Sequence, residues 1–548
     1  MERVLPSLLW LAVFTALLTL GVNAGCSSSD NPSGGPPPAP GSAPGSAPGS
    51  ALSGVLTYHN DNLRTGQNLN ESVLTPANVN TTTFGLLFSV PVDGQIYAQP
   101  LYVSGLNIGG TVHNTVFVAT EHDSVYAFDA DTPSPPLWQT SFMSPAAGIT
   151  TVSSADVNCT VITPEIGITS TPVIDPNSGT LYVVAATKEN GTFFHRVHAL
   201  DVMTGTDKVP PVVIQGNVPG TGDGSANVSF VSLQHLQRAA LLLSNGALYI
   251  AFASYCDLTP YHGWVFAYDA QTLAQVGIFN DTPNGQRGGI WQSGGGPAAD
   301  ANGNVYVMTG NGTFDGASPG GSNDFGDSFV KLAPRALTPS DFFTPFDQAT
   351  LEANDGDLGS GSPLLLPDQG VGPPHLMVSA GKEGTIYLVD RDNMGKFNPN
   401  NNGQIVQSIP GAVSTLFSTP ACFQNTVYFV GSNDALRAFS LSDGQLGTLP
   451  ASTTTTSFGH PGPTPVISAD GSNNGIVWVL QTNQAETNGP AVLHAFLAAD
   501  VSTELYNSNQ TPGRDNPGPA VKFTVPSVIN GKVFVGTQTQ LSVLGLLH

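Results

Sequence analysis

Residues 115–132 read TVFVATEHDSVYAFDADT. Val116, Phe117 and Val118, then Val125, Tyr126, Ala127 and Phe128, form two apolar runs around a short polar turn. β-Branched and aromatic residues in runs of this length, bounded by turn residues, predict paired strands. Just upstream stands AQPLYV, in which Pro100 opens a third apolar run. The trio recurs along the chain. Its openings are AQPLYV (Pro100), STPVID (Pro172), QRAALLL (Ala239 in place of proline), GGPAAD (Pro297), GSPLLL (Pro363), STPACF (Pro420), PTPVIS (Pro465) and TVPSVI (Pro526). The second strands are read as TVFVAT, TLYVVA, ALYIAF, NVYVMT, TIYLVD, TVYFVG, IVWVLQ and KVFVGT. Third strands begin as VYAFDADT, VHALDVMTG and VFAYDAQT and decay to LRAFSLSDG and SVLGLL.

Recurrence at such a period is the mark of repeated supersecondary units, each unable to bury its apolar face alone. Units of about 60 residues exceed the roughly 40–50 of common blade repeats. The excess must lie in loops, which gather on one face. The last unit ends after three strands, and FGLLFSVPV (Phe84 to Val92) is available as its fourth. Closing a ring in this way removes exposed sheet edges. The expectation is an all-β, eight-bladed β-propeller over residues 55–548.

Before the ring, Arg3 and the apolar run Leu8 to Leu20 lead into Val22-Asn23-Ala24-Gly25-Cys26. That is the pattern of a secretory signal over residues 1–25. Val22-Asn23-Ala24 suits ordinary cleavage. Ala24-Gly25-Cys26 suits a lipobox, with Cys26 acylated. Residues 26–54 are rich in Pro, Gly and Ser and read as a spacer with no core of its own. The expected location is exported: lipid-anchored at the cell envelope (outer membrane or periplasm) or secreted, touching a membrane only through the lipid.

Composition narrows the partners. Sixteen basic against 39 acidic residues give a net charge of −23, which repels phosphate backbones, so no nucleic acid is expected. With Cys26 set aside, Cys159, Cys256 and Cys422 remain. Export permits one disulfide. Cys159–Cys256 is the expected pair, because Cys422 sits in the apolar strand TPACF. No Cys-x-x-Cys is present, so a cysteine-rich zinc site is excluded. His122 and His262 open third strands without a second histidine at metal spacing and read as structural.

Four stretches, in order on eight repeats, resemble the quinoprotein alcohol dehydrogenases. They are LTPANVNTTTFGLLFSVPVDG, IWQSGGGPAADANGNVYVMTGNGTFD, GDSFVKL followed by NDGDLGSGSPLLL, and GKEGTIYLVDRDNMG. The resemblance implies pyrroloquinoline quinone (PQQ) and calcium as cofactors, and an alcohol, polyol or sugar as substrate. It further implies Asn311 and Asp257 as calcium ligands and Asp357 or Asp355 as the catalytic carboxylate, with Asp357 also on the metal. Lys382 is implied as a basic residue against the quinone. Trp291, before the triple glycine, is a candidate channel wall. Such roles are chemically coherent: calcium takes hard oxygen ligands, a carboxylate removes the alcohol proton, and a cation steadies the reduced oxygen.

The chain departs from the family at the quinone sandwich. Pro297, Ala298 and Ala299 stand where a tryptophan is expected, no adjacent cysteine pair exists, Glu165 falls near a family arginine, and Tyr97 replaces an acidic residue. Each candidate also has a plainer reading. Asn311 between two glycines is a turn residue of positive φ, Asp355 and Asp357 are solvated loop acids, GKEG around Lys382 is a hairpin tip, and Trp291 fills a gap between blades. Two function classes follow. One is an exported PQQ-dependent dehydrogenase. The other is a cofactor-free propeller lipoprotein serving envelope proteins as a binding or assembly scaffold, similar to the lipid-anchored propeller of outer-membrane protein assembly.

Overall fold

A computed structural model of the chain describes residues 51–316 and 323–547. The leader, Cys26 and most of the 26–54 spacer lie outside the described residues. The eight proline-type openings become the first strands of eight repeats: Leu101–Ile108, Val173–Asp175, Leu242–Ser244, Ala298–Ala299, Leu364–Leu365, Ala421–Phe423, Val466–Asp470 and Ser527–Ile529. Each pairs antiparallel with the strand that follows it in the same repeat. A third strand and, in the first seven repeats, a fourth complete each meander, giving eight blades beside one separate two-stranded sheet. We number them blades 1 to 8 in chain order.

Blade 8 has only three strands from its own repeat, and Phe84–Pro91 pairs antiparallel with Gln540–Leu546 as the fourth. The ring is therefore closed by the N-terminal strand. One strand assignment differs from the repeat reading. In blade 5 TIYLVD is the third strand (Ile386–Asp390), and the second is Leu376–Ala380. The sequence LMVSA lacks the aromatic-valine signature, because its faces pack leucine and methionine against the neighbouring sheets.

The apolar core lies between blades. Separate clusters join blades 2 and 3, 3 and 4, 4 and 5, 5 and 6, 6 and 7, and 7 and 8, while one spans blades 8, 1 and 2. Trp264 and Trp478 are fully buried in two of them. Each fully buried large side chain contributes about 1.5–3 kcal/mol of transfer free energy.

The axis is filled by the chain itself. Gly54–Val55 pairs with blade 1, and the Leu56 carbonyl accepts from Ile174 N of blade 2. Asn62 Nδ2 donates to the Leu243 carbonyl of blade 3. The carbonyls of Asn62, Leu63 and Thr65 accept from Ala299, Leu365 and Cys422 of blades 4, 5 and 6. Gln67–Asn68 then runs parallel to blade 7, and Asn68 Nδ2 reaches the Val528 carbonyl of blade 8. Fifteen residues extend at most about 50 Å, so a segment this short touches all eight sheets only by lying at their common centre. Arg64 is buried in it, donating to the carbonyls of Pro297, Tyr58 and Leu241 and to Thr57 Oγ1.

Candidate functional site

The turns joining second to third strands, together with the approaches to the first strands, enclose a cavity of about 260 Å³. This lies near the small end of ligand pockets, which run roughly 300–1,000 Å³. Asp257, Trp291, Asp357 and Lys382 line it, as does Cys256 of the Cys159–Cys256 disulfide. That disulfide has Cα atoms 5.7 Å apart, and Cys422 is buried and free. Asp257, Asn311 and Lys382 come from the second-to-third strand turns of blades 3, 4 and 5, and Asp357 from the approach to blade 5.

Asp357 is the centre of the polar network. Its Oδ2 lies 2.6 Å from Lys382 Nζ, and its Oδ1 accepts from Asn311 N at 2.7 Å. Its backbone carbonyl accepts from Lys382 N. Asp355 also reaches Lys382, at 2.9 Å, but its side chain is 72% exposed and it does not line the cavity. Of the two candidate carboxylates, Asp357 faces the cavity and Asp355 stands at the rim. Burial raises the Asp357 pKa, Lys382 offsets part of that rise, and the charge of Asp257 adds to it. Burial works against the Lys382 ammonium, yet Asp357 and Asp355 hold its pKa above the ordinary lysine value.

Asn311 is not a left-handed turn residue; it is absent from the positive-φ positions among the described residues. It is buried, its Nδ2 donates to Asp355 Oδ1, and its Oδ1 has no partner. An orphaned buried amide oxygen costs about 1–3 kcal/mol unless something binds it. The flanking glycines are required by close approach: a Cβ on Gly310 would stand 2.6 Å from Asp357 Oδ1. Asp257 Oδ1 accepts from Ser254 Oγ and from Tyr261 Oη. Cys256 and Asp257 both have positive φ, a strained pair that the disulfide pins. Among the described residues, no group of three or more His, Cys, Asp or Glu side chains is arranged to hold a metal ion. Asn311 is not among the residues that line the cavity; it stands behind the lining, held to Asp357 and Asp355.

Trp291 meets Phe417 and Phe523 edge to face. Pro297 to Ala299 supply no ring, since Ala298 and Ala299 are buried in the first strand of blade 4. Several lining residues were missed from the sequence: Tyr261, Arg238, Lys522, Phe417, Phe523 and His460. Arg238 carried a signal, an arginine inside the apolar opening QRAALLL of a chain with only 16 basic residues. The two histidines have partners: His122 Nδ1 meets Glu165, and His262 meets Thr282 and Asp223. The triple glycine is also explained. Gly294 has φ +95°, and a Cβ there would lie 2.4 Å from the Arg238 guanidinium.

Behind Arg238 lies a buried acid, Glu121, whose Oε2 accepts from Gly167 N and Thr169 Oγ1. Burial pushes its pKa up from 4.5 to about 7. The folded chain therefore holds this proton more tightly than the unfolded chain, and stability falls as pH rises from about 4.5 to about 7. The size is on the order of 3 kcal/mol. Glu121→Gln is expected to remove that part of the fall, giving a variant more stable than wild type in denaturant titrations at pH 8 and little changed at pH 4.5. An identical decline in both proteins would contradict the assignment.

No family model and no curated protein matches the sequence. Solved structures do match. A quinohaemoprotein alcohol dehydrogenase from Pseudomonas putida HK5 is 14% identical over 90% of this chain and 80% of that one, with a TM-score of 0.58. The enzyme of the same kind from Comamonas testosteroni is 15% identical over 90% and 80%, with a TM-score of 0.60. A europium-containing methanol dehydrogenase is 14% identical over 90% and 98%, with a TM-score of 0.57. At such identities the likeness is one of fold. This chain has the eight-bladed propeller fold of the PQQ-dependent alcohol dehydrogenases.

Proposed function

We propose that the cavity holds PQQ beside a hard cation, calcium or a lanthanide, and that the chain is an exported dehydrogenase acting on the CH–OH group of an alcohol, polyol or sugar. The observation that carries this reading is the unpartnered Oδ1 of buried Asn311 beside the Asp357–Lys382 pair. The donor set suits the cation: two carboxylates and an amide oxygen are hard ligands, and calcium takes roughly 6–8 oxygens. Trp291, Phe417 and Phe523 give the cavity an aromatic wall. When bound, the quinone supplies the two-electron acceptor for the hydride leaving the carbinol carbon.

Asp357 takes the hydroxyl proton. Burial raises its basicity, in the direction a general base needs, while Lys382 favours its carboxylate form and orients it. Tyr261 and Ser254 fix Asp257 through its Oδ1, leaving Oδ2 for the cation. The disulfide suits an oxidising compartment, in keeping with the 1–25 leader and a lipid on Cys26. Among the described residues no helix is long and apolar enough to cross a membrane.

The test is titration of the full chain with PQQ, followed by calorimetry and Trp fluorescence, with calcium, with europium and with chelator. The expected result is saturable binding of one PQQ per chain that needs the cation, with affinity in Asn311→Ala reduced at least about tenfold, the loss of one charge-assisted contact of roughly 1.5–3 kcal/mol. No saturable binding under any condition would sink the reading and leave the binding-platform function.

A further inference from the structure

Three cations line the cavity, and two of them are already neutralised. Lys382 is held by Asp355 and Asp357, and Lys522 meets Glu486 at 2.9 Å. Arg238 has no ion pair among the described residues. It is buried, with 3% of its surface exposed, and its Nη2 has no hydrogen-bond partner. Its Nη1 makes one long contact, 3.4 Å, to the Thr169 carbonyl. The guanidinium stands 5.4 Å from the Tyr97 ring and 5.5 Å from the Phe523 ring, and the Gly294 backbone packs against it. Two aromatic rings and a glycine turn thus surround the guanidinium, and the residue lines the cavity.

A buried charged donor left unpartnered is costly. The charge of the Glu121 carboxylate acts on Arg238, but the two make no ion pair, and Glu121 Oε2 is taken by Gly167 N and Thr169 Oγ1. Burial itself pulls the Arg238 pKa down. The net charge of −23 favours a cation in general but supplies no acceptor for the unpartnered Nη2. An acceptor from outside the chain would complete it.

We propose that Arg238 is the carboxylate-binding residue of this cavity, receiving a carboxylate of an aromatic ligand on its free guanidinium edge between Tyr97 and Phe523. A planar acid suits this seat, because guanidinium and carboxylate pair in one plane through two parallel hydrogen bonds. The proposal deepens the quinone reading, since PQQ carries such carboxylates, but an aromatic carboxylic acid without the quinone has the same chemistry.

The experiment compares three probes by calorimetry on the full chain: PQQ, its trimethyl ester and isophthalate. The expected result is that PQQ binds at least about tenfold more tightly than its ester, and that Arg238→Met removes the difference while Arg238→Lys keeps part of it. The acid-to-ester comparison on wild type needs no variant, so it holds even where a substitution disturbs folding. Isophthalate binding that Arg238→Met abolishes, with no PQQ binding, would uphold the carboxylate site and sink the quinone reading. Equal affinity for acid and ester, a preference that survives Arg238→Met, or no binding of either acid would overturn the proposal.

Discussion

Replacing Cys159 and Cys256 together by serine is expected to lower stability by about 4–5 kcal/mol, read as a shifted denaturant midpoint. The bridge closes a loop with a sequence separation of 97, and a closed loop of about 100 residues removes that much denatured-state entropy in the chain-entropy view. It ties the long segment after blade 1 to the turn of blade 3, so the unfolded chain loses many of its open forms. The local effect matters as much. Asp257 follows Cys256 at positive φ, a conformation costing on the order of 1–3 kcal/mol that persists only when its surroundings impose it. Without the bridge that turn relaxes, and cation affinity in the cavity falls along with stability. A double variant with an unchanged midpoint would show that the bridge adds nothing.

The ring was legible in the sequence because a propeller writes the same strand trio eight times, and any one degenerate copy is rescued by its neighbours. Blade 5 shows the limit. Its second strand, LMVSA, lost the aromatic-valine signature, and only the pairing of Leu376–Ala380 with both neighbours identifies it. The axial segment from Gly54 to Asn68 was not legible at all. Its hydrogen bonds run to eight different sheets, so it carries no periodicity of its own.

Placement was legible where a motif fixed the turn: Asp257, Asp357, Lys382 and Trp291 line one cavity, while Asn311 stands outside the lining. What the sequence left open was the choice between Asp355 and Asp357, two residues apart in one loop. Exposure separates them, and exposure depends on how Asp357 is drawn inward by Lys382 and Asn311 N. Arg238, Tyr97 and Phe523 could not be joined from sequence either, since they come from blades 3, 1 and 8 and meet only when the ring closes.

Asp357→Asn is expected to reduce turnover of the PQQ- and calcium-loaded chain by about 10²–10⁴-fold, the usual worth of a positioned general base. The amide keeps the shape but cannot accept the proton, and Lys382 keeps Asp355 as a partner. Asp355→Asn, at the exposed rim, is expected to lose less than about fivefold, in line with the small worth of exposed ion pairs. The most direct measurement is therefore dye reduction by the loaded chain with ethanol, glycerol and glucose as probes, for wild type and these two variants. Turnover in wild type, a loss of at least about 100-fold in Asp357→Asn and near-wild-type rates in Asp355→Asn are the results expected of a general base at position 357. No turnover of any probe by the loaded wild-type chain, or equal losses in both variants, would contradict it.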